Sequence, residues 1–405
     1  MEWIEKKSSE LYVSSSGLSK SSDQFGYGYP FLSYKDVFNN FYAPEKLATL
    51  VNSTEKDRIK CSVKKGDVFL TRTSETTDEL GMSCVALHDY EDATFNGFTK
   101  RLRPLTDEIV PKYAAYYFRS PYFRSQCISL ASLITRASLN DGMIRRLKIR
   151  YPIRRDLQEK IGDVLYKYDS LIENNTKRIR LLEKMAENLY KEWFVRFRFP
   201  GYEKAEMENG LPKGWKHGKL GDIVEFLNGF AFKSQTFCAE GKYSIVTIKN
   251  VRSDGFEGNN TDKVLELPSR IPKHCLLKEG DILLSLTGNI GRVCRVLGNG
   301  YLLNQRVAKL KSKNPLFCYC TFKSDYIYQS LNVISYGTAQ LNLSPVKASK
   351  IKLPIPLLEL LNNFEQIVKP IFAEIDTLLH QNTLLARQRD LLLPRLMSGK
   401  LEVKP

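Results

Sequence analysis

The chain has little of what catalysis at a metal, a thiol or a nucleotide draws on. Only four His occur in 405 residues; His88, His217, His274 and His380 stand far apart and suggest neither a metal site nor a catalytic triad. The eight Cys (Cys61, Cys84, Cys127, Cys238, Cys275, Cys294, Cys318, Cys320) are dispersed. The one close pair, Cys318 and Cys320, has a single residue between them and no second Cys or His pair nearby. That pattern argues for reduced thiols, most of them buried, in a cytosolic protein rather than for zinc or disulfides. No P-loop is present, so no ATP-driven motor is encoded. No apolar run approaches the length of a membrane span, and Met1-Glu-Trp-Ile-Glu-Lys-Lys7 has no apolar signal core. The expectation is a cytoplasmic protein without cofactor, metal or membrane attachment.

What is present is ordinary in all but charge. The 405 residues suffice for two or three domains, and 42% hydrophobic with 26% charged residues is usual for a globular protein. The formal net charge of +16, from 61 Lys plus Arg against 45 Asp plus Glu, is not usual. It favours an anionic partner, and nucleic acid is the commonest.

The chain is organised around a stretch from about Asp156 to Trp193. Leu157, Ile161, Val164, Tyr168, Leu171, Ile179, Leu182, Met185, Leu189 and Trp193 recur at three-and-four spacing, which writes one apolar stripe along a helix of roughly 55 Å. Lys167-Tyr-Asp-Ser-Leu-Ile-Glu-Asn-Asn175 matches Glu374-Ile-Asp-Thr-Leu-Leu-His-Gln-Asn382 at an offset of 207, so the partner helix lies in the same chain. Asn175 and Asn382 interrupt the two stripes near their midpoints. A buried Asn in a coiled coil fixes register, which predicts antiparallel pairing with the two amides close together; the competing reading leaves one or both in solvent. Pro370 marks the start of the second helix or a kink within it.

The globular parts repeat as well. Tyr29 to Val37 reads as a strand, and Lys65-Gly-Asp-Val-Phe-Leu-Thr71 as a Gly-Asp turn entering another. Both recur 214 residues later: Tyr29 to Val37 as Tyr243 to Val251, and Gly66-Asp-Val-Phe-Leu-Thr-Arg-Thr73 as Gly280-Asp-Ile-Leu-Leu-Ser-Leu-Thr287. Further on the offset becomes 202, taking Ala137, Leu139, Asn140, Lys148, Ile149 and Pro152 to Ala339, Leu341, Asn342, Lys350, Ile351 and Pro354. Phe197 to Trp215 reads as a linker pinned by aromatics. The fold class is α/β (α+β): a tandem duplication of globular domain plus long helix.

Duplication with antiparallel helices gives an internal pseudo-two-fold axis, which suits the two-fold axes of duplex DNA. Here the residues resemble a known family, the specificity subunits of Type I restriction-modification systems. The resemblance rests on Leu211-Pro-Lys-Gly-Trp215 with Leu220-Gly-Asp-Ile223, on Asn228-Gly-Phe-Ala-Phe-Lys-Ser234, on Gly280-Asp-Ile-Leu-Leu284 and on Leu286-Thr-Gly-Asn-Ile-Gly-Arg292. Leu392-Leu-Pro-Arg-Leu-Met-Ser-Gly-Lys400, Tyr12 to Lys20, Gly26 to Phe31 and Lys167 to Asn175 complete it. One departure is the region before Tyr12, which lacks a counterpart of Leu211 to Asp222. The resemblance implies target-recognition domains at 1–155 and 200–352, helical spacers at 156–199 and 353–405, and no catalytic residues. It also implies assembly on double-stranded DNA with two adenine methyltransferase subunits and with restriction subunits that act as motor and nuclease. The alternative is a scaffold or architectural DNA-binding protein without sequence preference.

Base and phosphate recognition needs amide, guanidinium, ammonium and hydroxyl groups in loops. In the first half these are Lys35, Thr71, Arg72, Thr73, Ser74, Arg136, Ser138 and Asn140. In the second they are Lys249, Ser285, Thr287, Asn289, Arg292, Asn304, Gln305, Arg306, Thr338, Gln340 and Asn342. Asn314-Pro-Leu-Phe317 resembles the Asn-Pro-Pro-Phe/Tyr motif of amino-methyltransferases, but the second Pro is missing and no glycine-rich loop for the methyl donor follows a strand.

Overall fold

The computed structural model describes residues 2–130, 132–133, 137–259, 261–335 and 342–402. The chain divides into two compact units, residues 1–173 with 383–405 and residues 174–382. The division falls inside both long helices, Arg155–Tyr190 and Leu358–Met397.

Each unit is built on a four-stranded antiparallel sheet of the same order. In the first, Tyr12–Ser16, Thr99–Pro104, Val68–Thr71 and Ser83–Val85 lie side by side; in the second, Glu225–Asn228, Val307–Lys311, Ile282–Ser285 and Val293–Arg295 do. The turn entering the third strand of each is made by the same device. Gly66 and Gly280 adopt φ of 86° and 84°, open to glycine without strain. The next residue then caps the turn: Asp67 accepts the Lys64 N–H and Asp281 the Lys278 N–H, both at 2.8 Å.

A second sheet in each unit joins strands in parallel, Phe25–Leu32 to Thr94–Phe95 and Tyr243–Val246 to Tyr301–Leu303. The strand expected over Tyr29 to Val37 stops at Leu32. Ser33 ends it, because its hydroxyl accepts the Asp36 N–H while the Asp36 carboxylate accepts the Ser33 N–H, a capping box that starts the helix Tyr34–Asn39.

Two sequence expectations are corrected by strand register. Trp3–Lys7 pairs with Lys148–Pro152 as Lys216–Lys219 pairs with Lys352–Ile355, with Lys7 opposite Lys148 and Lys219 opposite Lys352. The region before Tyr12 therefore does have a counterpart of the strand inside Leu211 to Asp222. The same pairing makes the late offset 204, not 202. Sliding a strand by two residues keeps the same side chains on the same face, so the apolar pattern alone could not tell the two apart.

The helices pack antiparallel. In the second unit Arg178 pairs with Glu374 at 2.7 Å and Asn175 bonds to Gln381, so numbers rise along one helix as they fall along the other. In the first unit Leu157, Ile161 and Leu165 share a core with Leu393, Leu396 and Met397, and Asp169 forms an ion pair with Arg389. The buried stripe runs through Leu165, Ala186 and Tyr190, while Leu171 and Met185, expected inside, are 51% and 55% exposed. The second helix is continuous through Pro370. The first closes in a π-helical turn, Lys191–Val195, that buries Trp193 and Phe194 against Phe364. The linker then returns Phe197 and Phe199 onto Trp215. Among the described residues no helix is long and apolar enough to cross a membrane.

Candidate nucleic-acid interface

In each unit three polar loops meet at one end of the four-stranded sheet, tied by main-chain hydrogen bonds that the other unit repeats. The Arg72 N–H donates to the Phe98 carbonyl at 3.1 Å, and the Leu139 N–H donates to the Arg72 carbonyl at 2.8 Å. In the second unit the Leu286 N–H donates to the Arg306 carbonyl at 3.0 Å, and the Leu343 N–H donates to the Leu286 carbonyl at 2.8 Å. Below them a buried hydroxyl anchors the loop. Thr71 donates to the Glu79 carbonyl and accepts the Met82 N–H, both at 3.0 Å. Ser285 donates to the Asn289 carbonyl and accepts the Arg292 N–H at 3.1 Å.

These bonds sort the residues picked from sequence. Thr71 and Ser285 are fully buried and build the loops instead of facing out. Ser74 is buried too, its hydroxyl donating to the Glu79 carboxylate at 2.8 Å. Lys35 is exposed in the first turn of the helix that Ser33 caps, and Lys249 is exposed in the equivalent turn, where Asn250 accepts the Thr247 N–H at 2.8 Å. Asn289, Gln305, Arg306 and Asn342 are exposed. Arg72, Thr73, Ser138, Thr287, Arg292 and Asn304 are half-buried. Among the described residues the Arg72 Nε and the Thr287 Oγ1 are buried without a hydrogen-bond partner, which leaves polar capacity inside the loop cluster. Asn140 is exposed, and its Oδ1 caps the helix Asp141–Arg146 by accepting the Met143 N–H at 2.9 Å. Its structural counterpart is Ser344, which caps Pro345–Ala348 in the same way, and not Asn342. Arg136, Thr338 and Gln340 lie outside the described residues.

One loop was missed. Asn96-Gly97-Phe98 is the first-half counterpart of Asn304-Gln305-Arg306: the Asn96 Oδ1 accepts the Phe98 N–H at 2.7 Å as the Asn304 Oδ1 accepts the Arg306 N–H at 3.2 Å. The signal was an Asn three residues before each equivalent strand. Beside this loop Tyr34 donates its hydroxyl to the Thr73 carbonyl at 3.1 Å, and burial, aided by the Glu79 carboxylate, pushes its phenol up from the ordinary range.

The helix-pairing residues sit within the second unit. Asn175 is 7% exposed and donates to the Gln381 side chain at 3.3 Å; Asn382 donates to the Thr176 hydroxyl at 3.4 Å. Asn314-Pro-Leu-Phe317 is a helix start. Asn314 donates its amide to Asn362 at 3.2 Å, and Phe317 is buried against Tyr190, Phe194 and Phe364. Among the described residues no group of three or more His, Cys, Asp or Glu is placed to hold a metal ion. Seven of the eight Cys are buried and Cys238 is exposed.

The family model for the Type I restriction modification DNA specificity domain matches the chain twice, over residues 2–184 and 212–386. The MjaIX specificity subunit of a Type I restriction enzyme from Methanocaldococcus jannaschii is 27% identical over 420 residues, covering 100% of this chain and 94% of that one. The HindI specificity subunit from Haemophilus influenzae is 21% identical over 440 residues, covering 92% and 94%. A crystal structure of a Type I restriction-modification S subunit from M. genitalium matches with a TM-score of 0.56 at 16% identity, covering 98% of this chain and 96% of that chain, a likeness of fold. With both halves matched and the same loop frame built in each, the chain belongs to the Type I restriction-modification DNA specificity family, the non-catalytic DNA-recognition subunits of those systems.

Proposed function

We propose that the two tied loop sets are two DNA-reading surfaces, each taking one half of an interrupted, asymmetric target. The paired helices set the spacing and dock two methyltransferase subunits, to which restriction subunits are added. One observation carries this: a single main-chain frame occurs twice with different side chains on it, Phe98 against Arg306 and Glu79 against Asn289. A conserved scaffold with altered surface groups is what two readers of two different short sequences require, whereas sequence-blind binding needs only charge.

Within the frame, Lys35 and Lys249 are proposed as phosphate contacts, and Arg72, Thr73, Asn289, Arg292, Gln305 and Arg306 as base-reading groups. Asn175 and Asn382 are proposed to hold the helices in register. The net charge of +16 supports a polyanionic partner. Binding of the assembled complex to a cognate duplex and to single-base variants tests the division of labour. Arg306→Ala costs about 1–3 kcal/mol on the cognate duplex and removes discrimination at one base pair, while Lys249→Ala weakens all duplexes alike and lowers the salt dependence. Equal, sequence-independent losses for both variants would refute it.

A further inference from the structure

The two loop frames differ in the polarity of what they present. Phe98 stands where Arg306 stands, because the carbonyl of each accepts the N–H that follows the anchoring hydroxyl. Glu79 stands where Asn289 stands, because the Thr71 and Ser285 hydroxyls donate to their carbonyls. Between those anchors the first-half loop is four residues longer, and the added stretch brings out Glu75, which is exposed. Tyr34, Thr73, Ser74, Glu75, Glu79 and Phe98 together line a cavity of about 290 Å³. Phe98 is 55% exposed at its rim.

A carboxylate beside DNA is repelled by the phosphates, and only a hydrogen-bond donor on a base edge offsets that. In the major groove the donors are the adenine N6 and cytosine N4 amines, and the one apolar group is the thymine methyl. A phenyl ring beside carboxylates therefore matches the pair that offers both a methyl and an amine. A guanidinium fork matches the O6 and N7 acceptors of guanine.

We propose that the first domain reads an A·T pair at this cavity, Phe98 meeting the thymine methyl and Glu75 accepting from the adenine N6 amine. At the equivalent place of the second domain Arg306 reads the guanine of a G·C pair. The inference rests on the two-reader function and adds which base chemistry each reader takes.

The test uses the full chain co-expressed with its methyltransferase subunits in a methylation-free host, with modified adenines mapped genome-wide. Wild type is expected to modify an interrupted motif. Phe98→Arg shifts one A·T position of one half-site towards G·C by about tenfold or more, leaving the other half-site intact. Phe98→Leu, which keeps an apolar contact, retains the wild-type motif. Arg306→Ala relaxes one G·C position in the other half-site only, and Glu75→Ala, which removes the acceptor, weakens the preference at the same A·T position as Phe98→Arg. An unchanged motif in Phe98→Arg, or relaxation by Arg306→Ala at a position that is not G·C, overturns the base assignment while the two-reader function stands. An uninterrupted wild-type motif overturns that function itself. Should Phe98→Arg fail to assemble, Glu75→Ala and Arg306→Ala, both at exposed positions, still decide the assignment.

Discussion

Thr71 and Ser285 carry the right atoms to touch DNA, and the protein uses those atoms itself. Each hydroxyl bonds two main-chain groups at the root of its loop, so substitution acts on stability before recognition. Ser285→Ala leaves the Arg292 N–H without that acceptor. The expected loss is about 1–2 kcal/mol, read as a lower denaturant midpoint. An unchanged midpoint would contradict the anchoring role. Sequence reading puts both residues in loops, whereas each is the buried last residue of a strand. All four residues of Val68–Thr71 and of Ile282–Ser285 are buried, so these strands lack the alternation that separates an inner from an outer face. The exposure of Lys35, Lys249, Asn289, Gln305 and Arg306 was legible, because polar side chains outside the core reach solvent whatever the packing beneath them.

At the level of elements, helices and their partnership were legible from periodicity, while their ends and inner faces were not. The three-and-four spacing does not distinguish Leu165 from Tyr168 or Ala186 from Met185, since neighbouring residues lie on adjoining parts of the helix surface; packing chose Leu165 and Ala186. Replacing Asn175 by Leu is expected to raise thermal stability, by about 1 kcal/mol, at the expense of register. A lowered melting temperature would mean the amide holds more than register. Glu365 offers a pH test. Its carboxylate accepts the Phe317 N–H at 2.8 Å near the start of the helix Pro315–Lys323, yet burial, the largest influence, raises its pKa above the usual carboxyl value. A raised carboxyl pKa means that folding holds the proton more tightly than the unfolded chain does. Stability at this site is therefore full below the unfolded pKa and is lost as pH rises through the folded one. Glu365→Gln keeps an acceptor and removes the charge, so it is expected to stabilise at pH 7 and to become neutral near pH 4. The gain is small, because the group is partly exposed and screened. Thermal melts of both proteins across that range check the sign, and a gain that grew towards low pH would contradict it.

For the whole molecule, duplication was the most legible feature, because two separated segments agreeing on one offset is hard to reach by chance. Its finer course needed hydrogen bonds. The offset runs through 212 at Lys7 and Lys219, 208 at Asn96 and Asn304, and 204 at Lys148 and Lys352, as loops lengthen or shorten between strands that stay put. The loop cluster escaped sequence reading for the same reason: Arg72, Phe98 and Leu139 are far apart in the chain and meet only through main-chain bonds. The frame holds while the side chains it carries differ between the two units. The most direct measurement is the genome-wide map of adenines modified by the wild-type chain assembled with its methyltransferase subunits. The expected result is a single motif of two different short sequences separated by a fixed unspecified gap, modified on both strands. One uninterrupted motif, or modification without sequence preference by a stably assembled complex, would contradict it.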